Sequence, residues 1–244
     1  MSKAVILCGG LGTRLRPFTD AIPKSLMPIG EKAILEIQIE RLVSCGFTDI
    51  YLAVNHKADY IERFFNDPKS WHGAKLHFSQ ETKALGTAGP LKLLERELAE
   101  PFLVMNGDIL TLLNFRELYD FATAKDFLLT VGVKRMTMPY AFGNIHFEGD
   151  TVLGIEEKPD IITHALAGIY VMNPGVMNYI PSNTYYGVDS LIKQLLGSGE
   201  SVGKYEIKSY WVDIGQPGDY EKAQIEYARE IHDLNTPPDN NGLQ

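Results

Sequence analysis

Gly9, Gly10 and Gly12, with Arg14, Arg16 and Lys24 close behind them, are the residues of this chain best suited to hold a polyphosphate. The glycines lie in Cys8-Gly9-Gly10-Leu11-Gly12-Thr13-Arg14-Leu15, directly after the apolar run Ala4 to Leu7. Without a Cβ in the way, backbone N–H groups can approach a ligand closely. Several free N–H groups in one turn make a concavity that suits an anion. A guanidinium matches phosphate oxygens in a bidentate way, and a lysine adds a point charge. The spacing does not match the dinucleotide fingerprint, which needs a third glycine where Leu15 stands, nor the G-x-x-x-x-G-K-[ST] nucleotide loop. A glycine turn that binds nothing explains the glycines but gives no use for the cations around them.

The chemistry needs a scaffold, and the pattern supplies one. Apolar runs at Ala4–Cys8, Ile50–Val54, Leu76–Ser79 and Phe102–Asn106 read as buried strands. Between them, residues 33–45 place Leu35, Ile39, Leu42 and Val43 on one helical face and stop at Gly46. Further helices are expected at 58–65 and, with Pro90 in the first turn, at 87–98. Alternating strands and helices predict an α/β fold with a doubly wound, mostly parallel sheet. Asn106-Gly107-Asp108 then falls at the carboxyl end of a strand, the edge where such sheets bind ligands. Beyond residue 125, strands are expected at 127–134, 143–147, 152–156 and 166–172, extending the sheet into a mixed one that forms the second side of the cleft. Helices follow at 186–196 and 217–231. We expect one domain over 1–232 and a flexible tail over 233–244.

Composition narrows the class. Hydrophobic residues at 45% and charged residues at 22% fit a globular chain, not a disordered one. No apolar stretch approaches the ~20 residues of a membrane span, and residues 1–8 lack the pattern of a signal peptide. Two cysteines without metal-ligand spacing point to a reducing, cytoplasmic setting. The net charge of −8 disfavours nucleic acid. Residues 1–30 nevertheless hold Lys3, Arg14, Arg16 and Lys24 against Asp20 alone, a local excess of cations suited to a small polyanion.

Gly9-Gly10-Leu11-Gly12-Thr13-Arg14-Leu15-Arg16-Pro17 and Pro23-Lys24-Ser25-Leu26-Met27-Pro28 together resemble the signature of sugar-1-phosphate nucleotidylyltransferases. The resemblance continues through Gly86-Thr87-Ala88-Gly89, Asn106-Gly107-Asp108, Glu157-Lys158-Pro159, Ala167-Gly168-Ile169-Tyr170-Val171 and Trp211-Val212-Asp213, covering about residues 3–230. The chain is most similar to the short bacterial mannose-1-phosphate guanylyltransferase-like branch. The resemblance implies a Rossmann-like fold of the nucleotide-diphospho-sugar transferase type. It implies condensation of a nucleoside triphosphate, GTP favoured, with a sugar 1-phosphate (mannose, manno-heptose or related) for nucleotide-sugar and cell-surface polysaccharide biosynthesis.

The same resemblance assigns roles. Arg14 and Lys24 are the catalytic cations. Leu7, Gly9, Gly10, Gly12, Thr13, Gly86 and Thr87, with the Gln80 side chain, take the nucleotide. Asn106, Gly143, Glu157, Lys158 and Asp189 take the sugar phosphate, and Tyr140 and Tyr170 either stack on the sugar or pack the core. Asp108 and Asp213 hold Mg²⁺, although each is also explained by a cap or turn role. The partners implied are the two small-molecule substrates, without nucleic acid or membrane, and a homo-oligomer is allowed. One position departs from the family: Leu166 stands where an asparagine usually precedes the Ala-Gly-Ile-Tyr-Val strand. The competing readings are the same chemistry with CTP, UTP or dTTP, a non-catalytic nucleotide-sugar-binding homologue, and an unrelated dehydrogenase.

Overall fold

A computed structural model describes residues 2–65, 71, 73–125 and 127–235. The expected tail falls almost wholly at 236–244, outside the described residues. Strands β1 (Ser2–Leu7), β2 (Pro28–Ile29), β3 (Lys32–Ala33), β4 (Phe47–Val54), β5 (Lys75–Gln80) and β6 (Phe102–Asn106) make up the first half with helices α1 (Phe18–Ala21), α2 (Ile34–Ser44) and α3 (Ala58–Phe65). The second half adds β7 (Ile109–Thr111), β8 (Leu129–Pro139), β9 (Asn144–Glu148), β10 (Thr151–Glu156), β11 (Asp160–Met172), β12 (Val202–Glu206) and β13 (Trp211–Asp213), with α4 (Phe115–Thr123), α5 (Val188–Gly197) and α6 (Pro217–Asn235). Seven strands form one sheet in the order β12-β8-β11-β6-β1-β4-β5. The pairs of β1 with β4 and β6, of β4 with β5 and of β12 with β8 are parallel, and β11 runs antiparallel to both its neighbours. The sheet is therefore mixed, as the pattern beyond residue 125 suggested.

Helices cover both faces, which is why the central strands read as unbroken apolar runs. Leu35, Ile39 and Leu42 of α2, with Ile61 of α3 and Phe115 and Leu118 of α4, fill one side. Leu91, Leu94 and Leu98, with Leu191 and Leu195 of α5, fill the other. A third cluster ties the segment after the glycine loop to the far end of the chain: Leu15, Met27, Ile34 and Ile37 pack with Leu110, Ile214, Ala223 and Tyr227.

The helix expected over 87–98 is instead a 3₁₀ segment, Gly89–Leu94. Its leading amides are already engaged, because the N–H groups of Ala88 and Gly89 both donate to the Tyr186 carbonyl at 2.9 and 3.0 Å. Pro90 supplies no N–H to build an α-turn. The larger difference is in the second half of the sheet. The inner ends of β8 and β11 are buried, but no residue from 135 to 166 is buried. That stretch is a ribbon, β8 with β11, carrying the β9–β10 hairpin. A bulge between Leu166 and Tyr170, with Gly168 at φ +67°, marks where it leaves the core. A Cβ on Gly168 would lie 2.7 Å from Asn106 Nδ2, so the bend requires glycine there.

Candidate active site

The carboxyl ends of β1, β4, β5 and β6 surround a cavity of about 430 Å³. The glycine loop forms one wall. Gly12 has φ +62°, the left-handed region that favours glycine. A Cβ there would lie 2.7 Å from Thr19 Cγ2, and the Thr19 hydroxyl donates to the Gly12 carbonyl at 2.8 Å. Lys57 Nζ then holds the Thr19 and Asp20 carbonyls at 3.0 and 2.7 Å. Across the cavity, Gly86 at φ +82° lets the chain pass Tyr186, whose carbonyl would stand 2.7 Å from a Cβ. The Thr87 hydroxyl accepts the Val188 N–H at 2.9 Å and so anchors the start of α5.

Of the nucleotide residues expected from the sequence, Leu7, Gly9, Gly10, Gly12, Thr13, Gly86 and Thr87 all line this cavity, together with Arg14, Lys24, Asn106 and Asp108. Gln80 does not: it is exposed at the end of β5, and the next residue, Glu81, lines the cavity instead. Glu81 is 6% exposed. One carboxylate oxygen accepts the Leu85 N–H at 2.7 Å, and the other would stand 2.9 Å from a Cβ on Gly9. Burial raises its pKa above the ordinary 4.5, against the lowering effect of its bonds from Leu85 and Asn55. The spacing Glu81-x-x-x-Leu85 just before Gly86 was the available signal, and alternation along β5 decided which neighbour points in.

At the cavity floor, Gly107 N–H donates to the Leu7 carbonyl at 2.9 Å, and a Cβ on Gly107 would lie 2.8 Å from that oxygen. The turn is clamped from behind by a residue that sequence reasoning passed over. The buried Gln38 of α2 donates from one amide nitrogen to the carbonyls of Asn106 at 3.0 Å and Ile109 at 2.7 Å. Asp108 thereby projects from a fixed turn. Its Oδ2 is ion-paired with Lys24 Nζ, and its Oδ1 is buried without a hydrogen-bond partner among the described residues.

Asp213 reaches the same place by strand pairing, since β13 runs antiparallel to β7 with Asp213 opposite Ile109. Ile214 N–H donates to the Asp108 carbonyl at 3.0 Å. Asp213 stands at the rim, open to solvent on one side. Partial burial and then the Asp108 charge raise its pKa above the ordinary 3.8, and Lys24 and Arg14 pull it back. Arg14 Nη2 and Asp213 Oδ1 would each lie 3.6 Å from a Cβ on Gly215. Two neighbouring carboxylates, one with an unpartnered buried oxygen, are a donor set that fits a divalent cation taking one or two protein carboxylates. Among the described residues there is no group of three or more His, Cys, Asp or Glu side chains arranged for a metal.

Of the expected sugar-side residues, Asn106 lines the cavity and the others lie elsewhere. Gly143, Glu157 and Lys158 are on the exposed ribbon, and none lines the cavity. Lys158, at φ +48°, is 4.0 Å from the Glu157 carboxylate, and both side chains are about 70% exposed. Leu166 and Tyr140 are also exposed on the ribbon. Asp189 is exposed in the first turn of α5, 3.7 Å from Lys193. Tyr170 packs in the core, where burial, then the charges of Asp108 and Asp189, push its hydroxyl up to about 12. Beyond residue 125, the strands pair as expected and Tyr185 and Gly215 line the cavity, while the distal part of the ribbon does not.

Fold and site together define an α/β protein built to bind nucleotide phosphates, with a glycine cradle, two cations and a carboxylate pair on one sheet edge. The sequence profile described as nucleotidyl transferase matches residues 3–230, and the chain belongs to that family. It is 36% identical over 226 residues to "Probable mannose-1-phosphate guanylyltransferase 1" of Oryza sativa subsp. japonica, covering 89% of this chain and 62% of the relative. It is 33% identical over 240 residues to the mannose-1-phosphate guanyltransferase of Yarrowia lipolytica, covering 96% and 66%. The chain thus spans about two-thirds of the length of these curated relatives. Among solved structures, HddC from Yersinia pseudotuberculosis complexed with GMP-PN superposes with a TM-score of 0.73 at 27% identity, over 93% of this chain and 100% of that one. Among the described residues, no helix is long and apolar enough to cross a membrane.

Proposed function

We propose that the chain is a sugar-1-phosphate nucleotidylyltransferase that joins GTP to mannose 1-phosphate or a related manno-configured sugar 1-phosphate and releases pyrophosphate. The observation that carries the reading is the single cavity at which the glycine loop, Arg14, Lys24 and Asp108 meet, with Asp213 at its rim. A sugar-phosphate oxygen attacks the α-phosphorus of GTP. A new P–O bond forms, and the bond from that phosphorus to the bridging oxygen breaks, with its electron pair leaving on pyrophosphate. Such a transfer needs its reactants held in line and the developing charge neutralised. The loop N–H groups hold the triphosphate, while Arg14 and Lys24 supply positive charge. Asp108 and Asp213 would hold a divalent cation, Mg²⁺, which adds further neutralisation when bound. Lys158, outside this cavity on the exposed ribbon, is assigned to the phosphate of the sugar by the Glu157-Lys158-Pro159 motif alone.

Guanine is supported by chemistry as well as by the names of relatives. The Glu81 carboxylate accepts without donating when ionised. Guanine alone among the common bases offers two adjacent donors, N1–H and the 2-amino group, to such a carboxylate. The two cysteines are both free, which suits a reducing cytoplasmic setting.

Pyrophosphate release with GTP, CTP, UTP and dTTP, each against a panel of sugar 1-phosphates, tests the reading. Turnover chiefly with GTP and a manno-configured substrate is expected. Nucleotide binding without pyrophosphate release for any pair would instead establish the non-catalytic reading.

A further inference from the structure

Lys57, in the turn between β4 and α3, has two features that its immediate surroundings do not favour. Its φ is +55°, a left-handed conformation that is uncommon for a residue with a Cβ. It also stands directly before Ala58, the first residue of α3, and its carbonyl accepts the Tyr60 N–H at 3.1 Å. That is the positive end of a helix, where an anion is the stabilising choice and a cation is not. Strain of this kind persists only where the surrounding structure fixes it, and it gathers at functional sites.

The ammonium is engaged at another element. Nζ donates to the Thr19 carbonyl at 3.0 Å and to the Asp20 carbonyl at 2.7 Å, near the end of α1. The Asp20 carboxylate is taken by Arg16 at 3.1 Å, so the grip of Lys57 is on backbone and not on a side chain that could swing away. Thr19 carries the contact onward, because its hydroxyl donates to the Gly12 carbonyl at 2.8 Å. The same turn meets the glycine loop at its other end: Asn55 lines the cavity, and its Cβ would stand 3.2 Å from a Cβ on Gly9. The turn 55–57 therefore brackets the loop, at Gly9 just beyond β1 and at Thr19 and Asp20 in α1. Between these points the bonds are local, with Leu15 N–H donating to Gly12 O, Asp20 N–H to Pro17 O and Ile22 N–H to Phe18 O. Local turns set the shape of the segment but not its place on the sheet. Leu15 buries its side chain in the third apolar cluster, a contact without direction.

We infer that Lys57 is a positioning residue for the triphosphate. Its ammonium pins the end of α1, and through Thr19 it holds Gly12, so that the loop N–H groups and Arg14 are ordered before the nucleotide arrives. Lys57 itself does not line the cavity, so its effect passes through the loop. A loop already in its bound shape loses less conformational freedom when the ligand binds. The assignment rests on the proposed function for its ligand, whereas the tie between Lys57 and the loop does not.

Calorimetric titration of GTP and of guanosine into the wild type and Lys57→Met tests it. GTP should bind about tenfold more weakly or worse, and guanosine within about twofold of wild type, because the Glu81 pocket is untouched. Lys57→Arg keeps a cation with donors for the two carbonyls and should recover most of the GTP affinity. Thr19→Val keeps a methyl beside Gly12, removes only the hydroxyl bond, and should give the same selective loss. The two substitutions together should lose no more than the worse of them alone, as links of one chain do. If Lys57→Met fails to fold, Thr19→Val carries the comparison. Hydrogen exchange without ligand should show the amides of Leu15, Asp20 and Ile22 faster in Lys57→Met, with those of Ile50 to Val54 unchanged. Equal weakening of GTP and guanosine, additive losses, or unchanged exchange over 12–22 would overturn the inference. A wild type that binds neither ligand would refute the proposed function instead, and the exchange comparison would still decide whether Lys57 holds the loop.

Discussion

Gln38→Met tests whether the turn that presents Asp108 is held from behind by α2. The substitution keeps length and volume but removes both amide hydrogen bonds, to Asn106 O at 3.0 Å and Ile109 O at 2.7 Å. Each is worth about 1 kcal/mol net, and a carbonyl left buried without its partner costs about 1–3 kcal/mol more. Against this, Gln38 Oε1 is itself buried without a partner among the described residues, and methionine removes that orphan. The loss should therefore be about 2 kcal/mol, visible as a fall of roughly 4–8 °C in Tm for a chain of this size. The effect on turnover should be larger than on binding. A displacement of Asp108 by ~1 Å can cost up to about a hundredfold in rate, while the glycine loop and the Glu81 pocket stay in place. Urea titration, calorimetry and steady-state kinetics read the three quantities. Unchanged stability with unchanged kcat would refute the clamp. Lost stability with full kcat would show that Gln38 supports the fold without positioning the carboxylate.

Asp108→Asn and Asp213→Asn should each cut pyrophosphate release to background with the circular dichroism spectrum kept, and full activity in either at ordinary Mg²⁺ would show the carboxylate pair to be misassigned. Lys158→Ala should raise the KM for sugar 1-phosphate and Lys24→Ala should chiefly lower kcat, each by about a hundredfold; an unchanged sugar KM would remove Lys158 from the site. Glu81→Gln should weaken GTP by roughly tenfold or more and narrow the gap to UTP, because an amide presents a donor where guanine needs an acceptor. Its pH dependence has a defined sign. Burial raises the Glu81 pKa above 4.5, so acidification from neutral pH protonates it sooner than an ordinary glutamate. GTP affinity should fall in that window, above 4.5, and Glu81→Gln should abolish that part of the dependence. In the free protein the same raised pKa works the other way: its stabilising effect is present below 4.5 and lost as pH rises through the folded value. Isothermal titration across pH in both proteins checks this, and matching profiles would exclude Glu81 as the group.

Local pattern was enough for the elements that local chemistry controls. The strand over Phe102–Asn106 and the helix over Ala58–Phe65 have the bounds expected from the sequence. The glycine loop is also where the run Ala4 to Leu7 put it, because left-handed φ values and close backbone approaches demand glycine wherever the chain folds. Three things were decided only by tertiary structure. Asp213 joins Asp108 through the β13–β7 pairing across about a hundred residues, and no periodicity encodes which strands meet. Glu81 rather than Gln80 faces the cavity, because a strand side chain changes face at every residue, so an error of one in register inverts the answer. The ribbon carries the same alternation as any half-buried strand, which is why its residues read as a cleft wall. A pattern records that a face must be covered, whereas what covers it depends on where the backbone leaves the core, and here a glycine bulge between Leu166 and Tyr170 turns it outward.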